Sequence, residues 1–133
     1  MTTEELLSRF GSYVNINDLK LDEQRSLTLN INNDKLLTIN EISPTELFLN
    51  TPVCTMSEDM AHKCALSLLS QNIDLMNSSR GYLYWDKMTL TLCLAKKITT
   101  TDTTEVELDI LIKNVMHDAN TLINKLESNS IIK

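Results

Sequence analysis

The sequence predicts an α+β fold, three helices against a mostly antiparallel, twisted sheet, in the order α-β-β-β-α-β-β-α. Three observations carry this expectation. Apolar residues alternate with polar ones in stretches bounded by turn residues, the two-residue period of a half-buried strand. Elsewhere they recur every three or four positions behind capping residues, the period of an amphipathic helix. Only two Gly and two Pro interrupt 133 residues, and no repeat or linker divides them. One domain over residues 1–133 is therefore expected, with 128–133 as a frayed tail.

Thr2 followed three residues later by Glu5 forms a capping-box pattern, and Leu6, Leu7, Phe10 and Val14 follow at helical spacing. Gly11 weakens the last turn of this helix and lets another backbone approach closely. Strands are predicted at about 26–32, 36–42 and 46–53. The first two form a hairpin around Asn32-Asn33-Asp34, Pro44 marks the next turn, and Pro52 is expected to end the third strand. Leu27, Leu29 and Ile31 alternate as the inward side of the first strand. Phe48, out of phase with Leu47 and Leu49, points the opposite way.

The second helix enters through Thr55 or Ser57, with Glu58 and Asp59 complementing its dipole. Met60, Ala61, Cys64, Ala65, Leu68, Leu69, Ile73 and Met76 cover more than one stripe, so burial on two sides is expected, and the small residues among them permit close approach of another helix. Residues 77–81, NSSRG, form a turn. A second hairpin follows around Asp86-Lys87, with Leu90, Leu92 and Leu94 alternating. Asp102 with Glu105 reads as the capping box of a long last helix whose stripe is Leu108, Leu111, Val115, Ala119, Leu122 and Leu126. In the tail, Ile131 and Ile132 are available for docking.

The chemistry this composition excludes is extensive. A net charge of −6 with scattered Lys and Arg repels polyphosphate, so no nucleic-acid partner is expected. Gly11 and Gly81 stand alone, too few for a phosphate-cradling loop. His62 and Cys64 have no matching ligand pair, and positions i and i+2 of a helix diverge, so no metal site is expected. Cys54, Cys64 and Cys93 sit in apolar runs as free thiols, and His62 and His117 lie on charged helix faces. The paired carboxylates fall in first helical turns, where the dipole explains them. No catalytic residues, no cofactor and no enzyme activity are expected. An acidic amphipathic start and the lack of about 18 continuous apolar residues point away from a signal peptide and membrane insertion, toward the cytoplasm.

Residues 66–98, LSLLSQNIDLMNSSRGYLYWDKMTLTLCLAKKI, resemble the class I secretion chaperones of type III systems, the family that includes the Tir chaperone. Leu68-Leu69 and Asn72, then Gly81, Leu83, Asp86, Leu90 and Leu92, carry the likeness. Leu7, Phe10 and Gly11 are similar to that family's opening Leu-x-x-Phe-Gly. The resemblance implies a bacterial cytoplasmic homodimer that, without ATP, holds the N-terminal segment of a secreted effector in extended form. It implies a dimer interface on the second helix and adjoining strand, here Ala61, Ala65, Leu68, Leu69, Tyr82, Tyr84 and Trp85. It also implies effector-binding patches on the first helix and sheet surface, here Leu6, Leu7, Phe10, Leu29, Ile31 and Phe48. Each of these residues has a plainer reading: ordinary core for the aliphatic positions and Phe10, cross-strand packing for Tyr82, Tyr84 and Trp85, and an isolated surface aromatic for Phe48. A continuous patch joining Phe48 to Leu7 and Phe10 would mark a docking surface. The alternative is an acidic immunity or antitoxin-like protein that blocks a basic partner by charge complementarity.

Overall fold

A computed structural model of the protein describes residues 1–31 and 35–128. Its elements are α1 (Thr3–Tyr13), β1 (Ser26–Ile31), β2 (Lys35–Ser43), β3 (Glu46–Thr55), α2 (Glu58–Asn77), β4 (Tyr82–Asp86), β5 (Thr91–Thr99) and α3 (Glu105–Ser128). This is the expected order. The turn at 32–34 and the tail with Ile131 and Ile132 lie outside the described residues. The five strands form one antiparallel sheet in the order β1-β2-β3-β5-β4, which leaves β1 and β4 at its edges.

The chain divides into two compact units, with the divisions falling inside β3, β5 and α3. The first comprises Met1–Leu49 and Lys97–Asn114. Thr2 caps α1 by accepting the Glu5 N–H at 3.2 Å, as the capping box predicts. The helical period then turns Thr3, Leu6, Leu7, Phe10 and Gly11 inward. Gly11 is required by close approach: a Cβ there would meet the Ile16 carbonyl oxygen at 2.9 Å and the Leu19 Cβ at 3.0 Å. In the first hairpin Leu27 faces Ile39, Leu29 faces Leu37 and Ile31 faces Lys35, so the predicted alternation is the inward face. Leu37 and Ile39 are fully buried, as are Leu47 and Leu49 of β3.

The second unit contains the rest of β3, α2, β4, most of β5 and the second half of α3. Pro52 does not end β3. The strand continues to Thr55 with Pro52 exposed between buried Thr51 and Val53, since the extended backbone suits the fixed φ of proline. Ser57 caps α2 by accepting the Met60 N–H at 3.2 Å. In β5 the run Leu92-Cys93-Leu94-Ala95 is buried on both faces. Gly81 has φ +109°, and a Cβ there would lie 2.0 Å from the Ala95 carbonyl oxygen. Only glycine fits.

The last helix starts differently from the expected Asp102–Glu105 box. Thr104 accepts the Glu107 N–H at 3.2 Å and pairs with the Glu107 carboxylate at 3.3 Å, whereas Asp102 accepts the Thr99 hydroxyl. A capping box forms two residues later, at Thr104 and Glu107, because Thr104 already has its carbonyl in the helix, bonding the Leu108 N–H. The buried stripe of α3 runs through Leu108, Ile112, Val115, Met116, Ala119, Leu122 and Leu126. Leu111 is only half-buried, Ile112 having the inward place.

Candidate functional site

α2 packs beside β4, and the two enclose a groove of about 460 Å³. Six of the residues assigned to a dimer interface line it: Ala61, Ala65, Leu68 and Leu69 from the helix, Tyr84 and Trp85 from the strand. The groove wall is completed by Asn72, Leu83 and Leu92, with Glu58 and His62 as its polar rim. The remaining assigned residue, Tyr82, is exposed on β4 outside that lining.

Two side-chain links hold the groove open. The Asn72 carboxamide donates to the Leu83 carbonyl at 3.1 Å and accepts the Leu83 N–H. The Trp85 indole N–H donates to the Met56 carbonyl at 2.9 Å, while the Met56 N–H donates to Leu90 at 2.8 Å. The entrance to α2 is thereby tied to the second hairpin. Cys93 lies opposite Tyr84 across the β4–β5 ladder. Burial, together with the neighbouring Cys93 thiol, pushes the Tyr84 hydroxyl far above its ordinary pKa. Burial likewise raises the Cys54 and Cys93 thiols above the ordinary cysteine pKa, which disfavours their thiolate forms.

The outer face of α2 differs from the expectation of burial on two sides. Cys64, Leu68 and Leu75 are buried, but Leu66 is 84% exposed, Leu69 60%, Ile73 61% and Met76 65%. At about 100° per residue these four fall on one stripe, centred about 140° around the helix from the buried one. The chain provides cover for one apolar stripe of α2 and leaves the second bare. Leu66 was the missed member; its spacing of three and seven from Leu69 and Ile73 is the signal that identifies it.

The residues assigned to effector binding separate by burial. Leu6 and Leu7 are fully buried, Phe10 is 4% exposed and Leu29 9%, while Ile31 and Phe48 are half-buried. The patch joining Phe48 to Leu7 and Phe10 is therefore not formed, because the α1 stripe carrying Leu7 and Phe10 is the stripe that folding covers. Leu7 nevertheless lines a depression of about 360 Å³ with Ser8, Leu19 and Leu21, rimmed by Glu4 and Lys20. On the sheet, the outward positions of β2 carry Leu36 and Ile42, 48% and 51% exposed, which the sequence reading did not single out.

α1 is fastened by charge. The Arg25 guanidinium donates to Glu4 at 2.9 Å and to Glu41, and the Thr3 hydroxyl donates to Glu41 at 2.7 Å. The hydrogen bonds from Thr3 and then Arg25 hold the Glu41 carboxyl below the usual glutamate pKa. Arg25 reaches both carboxylates from a left-handed backbone, φ +58°.

Among the described residues no cluster of His, Cys, Asp or Glu is placed to hold a metal ion, and no buried side-chain nitrogen or oxygen lacks a hydrogen-bond partner. No helix among them is long and apolar enough to cross a membrane. The second unit's groove is lined mostly by apolar side chains.

No curated protein matches this sequence. The fold is similar to a chain of the ExsC–ExsE complex, with TM-score 0.74 and 18% identity over 91% of this chain and 90% of that one. It is similar to a chain of the HopA1–SchA chaperone–effector complex, with TM-score 0.73 and 16% identity over 88% and 89%. A third likeness is to the Yersinia pestis type III secretion chaperone SycH in complex with a stable fragment of YscM2, with TM-score 0.67 and 17% identity over 90% and 98%. The family model of the Tir chaperone protein (CesT) family matches residues 5–122. That match spans α1 through most of α3, and the chain belongs to the Tir chaperone protein (CesT) family.

Proposed function

We propose that this protein is an ATP-independent cytoplasmic chaperone that dimerises through the α2–β4 face and holds the N-terminal segment of a type III secreted effector in extended form. The observation that carries the reading is the second apolar stripe of α2. Full burial of a Leu, Ile or Met side chain contributes about 1.5–3 kcal/mol, so Leu66, Leu69, Ile73 and Met76 together form a strong drive toward a second copy. The groove beside them, with small Ala61 and Ala65, gives a facing helix room to approach. The fold neighbours support a client of the same kind, since the HopA1–SchA structure is a chaperone–effector complex.

The client side of the reading is carried by unit one. An extended segment laid along β1 gains main-chain hydrogen bonds without demanding a sequence and lies beside Ile31, while client residues flanking that strand pack on Leu36, Ile42 and Phe48 across the outward face of the sheet or enter the depression at Leu7. Leu6, Phe10 and Leu29 support that surface from the core. Ordering a disordered client costs about 2–5 kcal/mol, which a wrapped surface on two copies offsets. The test is co-expression with N-terminal effector fragments. Stable co-purification at a two-to-one stoichiometry is expected, with client amides slowed in hydrogen exchange. A strict monomer that captures no fragment overturns the reading.

A further inference from the structure

The sheet has two edges, and an unguarded edge pairs with any extended chain that reaches it. At β4 a side chain occupies the place a neighbouring strand would take. Asn72 donates its Nδ2 to the Leu83 carbonyl at 3.1 Å and accepts the Leu83 N–H on Oδ1. A carboxamide offers one donor and one acceptor in a plane, the same pair a strand residue offers its partner.

Main-chain groups alternate in direction along a strand. With Leu83 bonded to Asn72, the β4–β5 register turns Tyr82, Tyr84 and Asp86 toward β5 and Leu83 and Trp85 away from it. Once Leu83 is occupied, the outward pairing positions of β4 reduce to Trp85, too few for a ladder. β1 differs. There Asp22 engages the N–H and carbonyl of Ser26, at 2.9 and 2.8 Å, and alternation leaves exposed Thr28 and Asn30 facing outward in succession.

The placement of Asn72 in the sequence agrees with this role. It stands three and four residues from Leu69, Leu68, Leu75 and Met76, where apolar periodicity calls for another aliphatic residue, and asparagine is a poor helix former. We propose that Asn72 is a positioning residue that shuts the β4 edge and so confines strand addition to β1 at Thr28 and Asn30. The proposal rests on the chaperone reading only for the identity of the strand that arrives at β1; the closed edge is a property of the chain without a client.

The experiment accordingly uses the protein alone. Hydrogen exchange at the Leu83 amide is measured in the wild type, in Asn72→Leu and in Asn72→Ala, with sedimentation velocity across concentrations and far-UV circular dichroism to verify folding. In the wild type, Leu83 is expected to be protected while Thr28 exchanges fast. In the folded variants Leu83 is expected to exchange about tenfold faster, and a species larger than the wild-type assembly is expected to grow with concentration. A wild-type Leu83 that exchanges as fast as Thr28 overturns the proposal, whether or not the variants fold. So does acceleration spread evenly over the core amides with no larger species, or a shift to a smaller one. Because no client is present, these outcomes are separable from failure of the chaperone reading, which appears only in the fragment co-purification.

Discussion

Gly81 shows how one residue constrains a junction. Its φ of +109° and the 2.0 Å separation that a Cβ would have from the Ala95 carbonyl leave alanine both strained and obstructed by backbone, which cannot move as a side chain can. Gly81→Ala should lower stability by about 1–3 kcal/mol or more, read as a shift of the urea midpoint. Glu41 makes a pH prediction. Its carboxyl titrates below the ordinary glutamate value of about 4.3 because Thr3 and Arg25 bond its charged form. As pH falls, the unfolded chain takes up this proton first, so the contribution is complete above the ordinary value and is lost as pH drops through the lower folded one. Glu41→Gln should therefore destabilise the protein at neutral pH, and its deficit relative to wild type should shrink below about pH 4 in paired urea titrations. Gly81 was legible in the sequence as a turn. Glu41 was not, since its partners Thr3 and Arg25 lie 38 and 16 positions away.

At the scale of the element, α2 decides the most. Its capping Ser57, first-turn acids and buried Cys64, Leu68 and Leu75 are those of any surface helix, but its other stripe is also apolar. Leu69→Glu and Ile73→Glu substitute side chains 60% and 61% exposed, so in a monomer they would change stability by less than about 0.5 kcal/mol. If the stripe is buried against a second copy, each should convert the dimer to monomer and make the melting temperature independent of protein concentration. Sedimentation equilibrium with thermal melts at several concentrations checks both. The helical period in the sequence showed that α2 has two apolar sides; it carried no information on which side the chain itself would cover, because that depends on where β4 lies. α1 gives the converse lesson. Its single stripe, Leu6, Leu7 and Phe10, is buried, and a helix with one stripe has little left to lend.

For the whole molecule, composition and topology separate the two classes of binder the sequence left open. A net charge of −6 would serve an inhibitor of a basic protein, whose association weakens steeply with salt. The exposed aliphatic residues of α2 and β2 would serve apolar contact instead, which salt leaves largely intact. Binding of an effector fragment, followed by calorimetry, is expected to change less than about tenfold between low and moderate salt and to show a negative heat-capacity change. A steep salt dependence with a folded basic partner would reverse the assignment.

Local chemistry reaches far in this protein. Caps, turn residues and apolar periods determined the element order and the inward faces of the first hairpin, because each depends on neighbours within a few positions. Tertiary structure decided what those patterns are used for. Burial of Leu7 and Phe10, exposure of Leu66 and Ile73, and the meeting of Asn72 with Leu83 all follow from which elements come to lie side by side. A periodic pattern states that a face is apolar; only the arrangement of the other elements determines whether the chain covers that face or offers it to a partner.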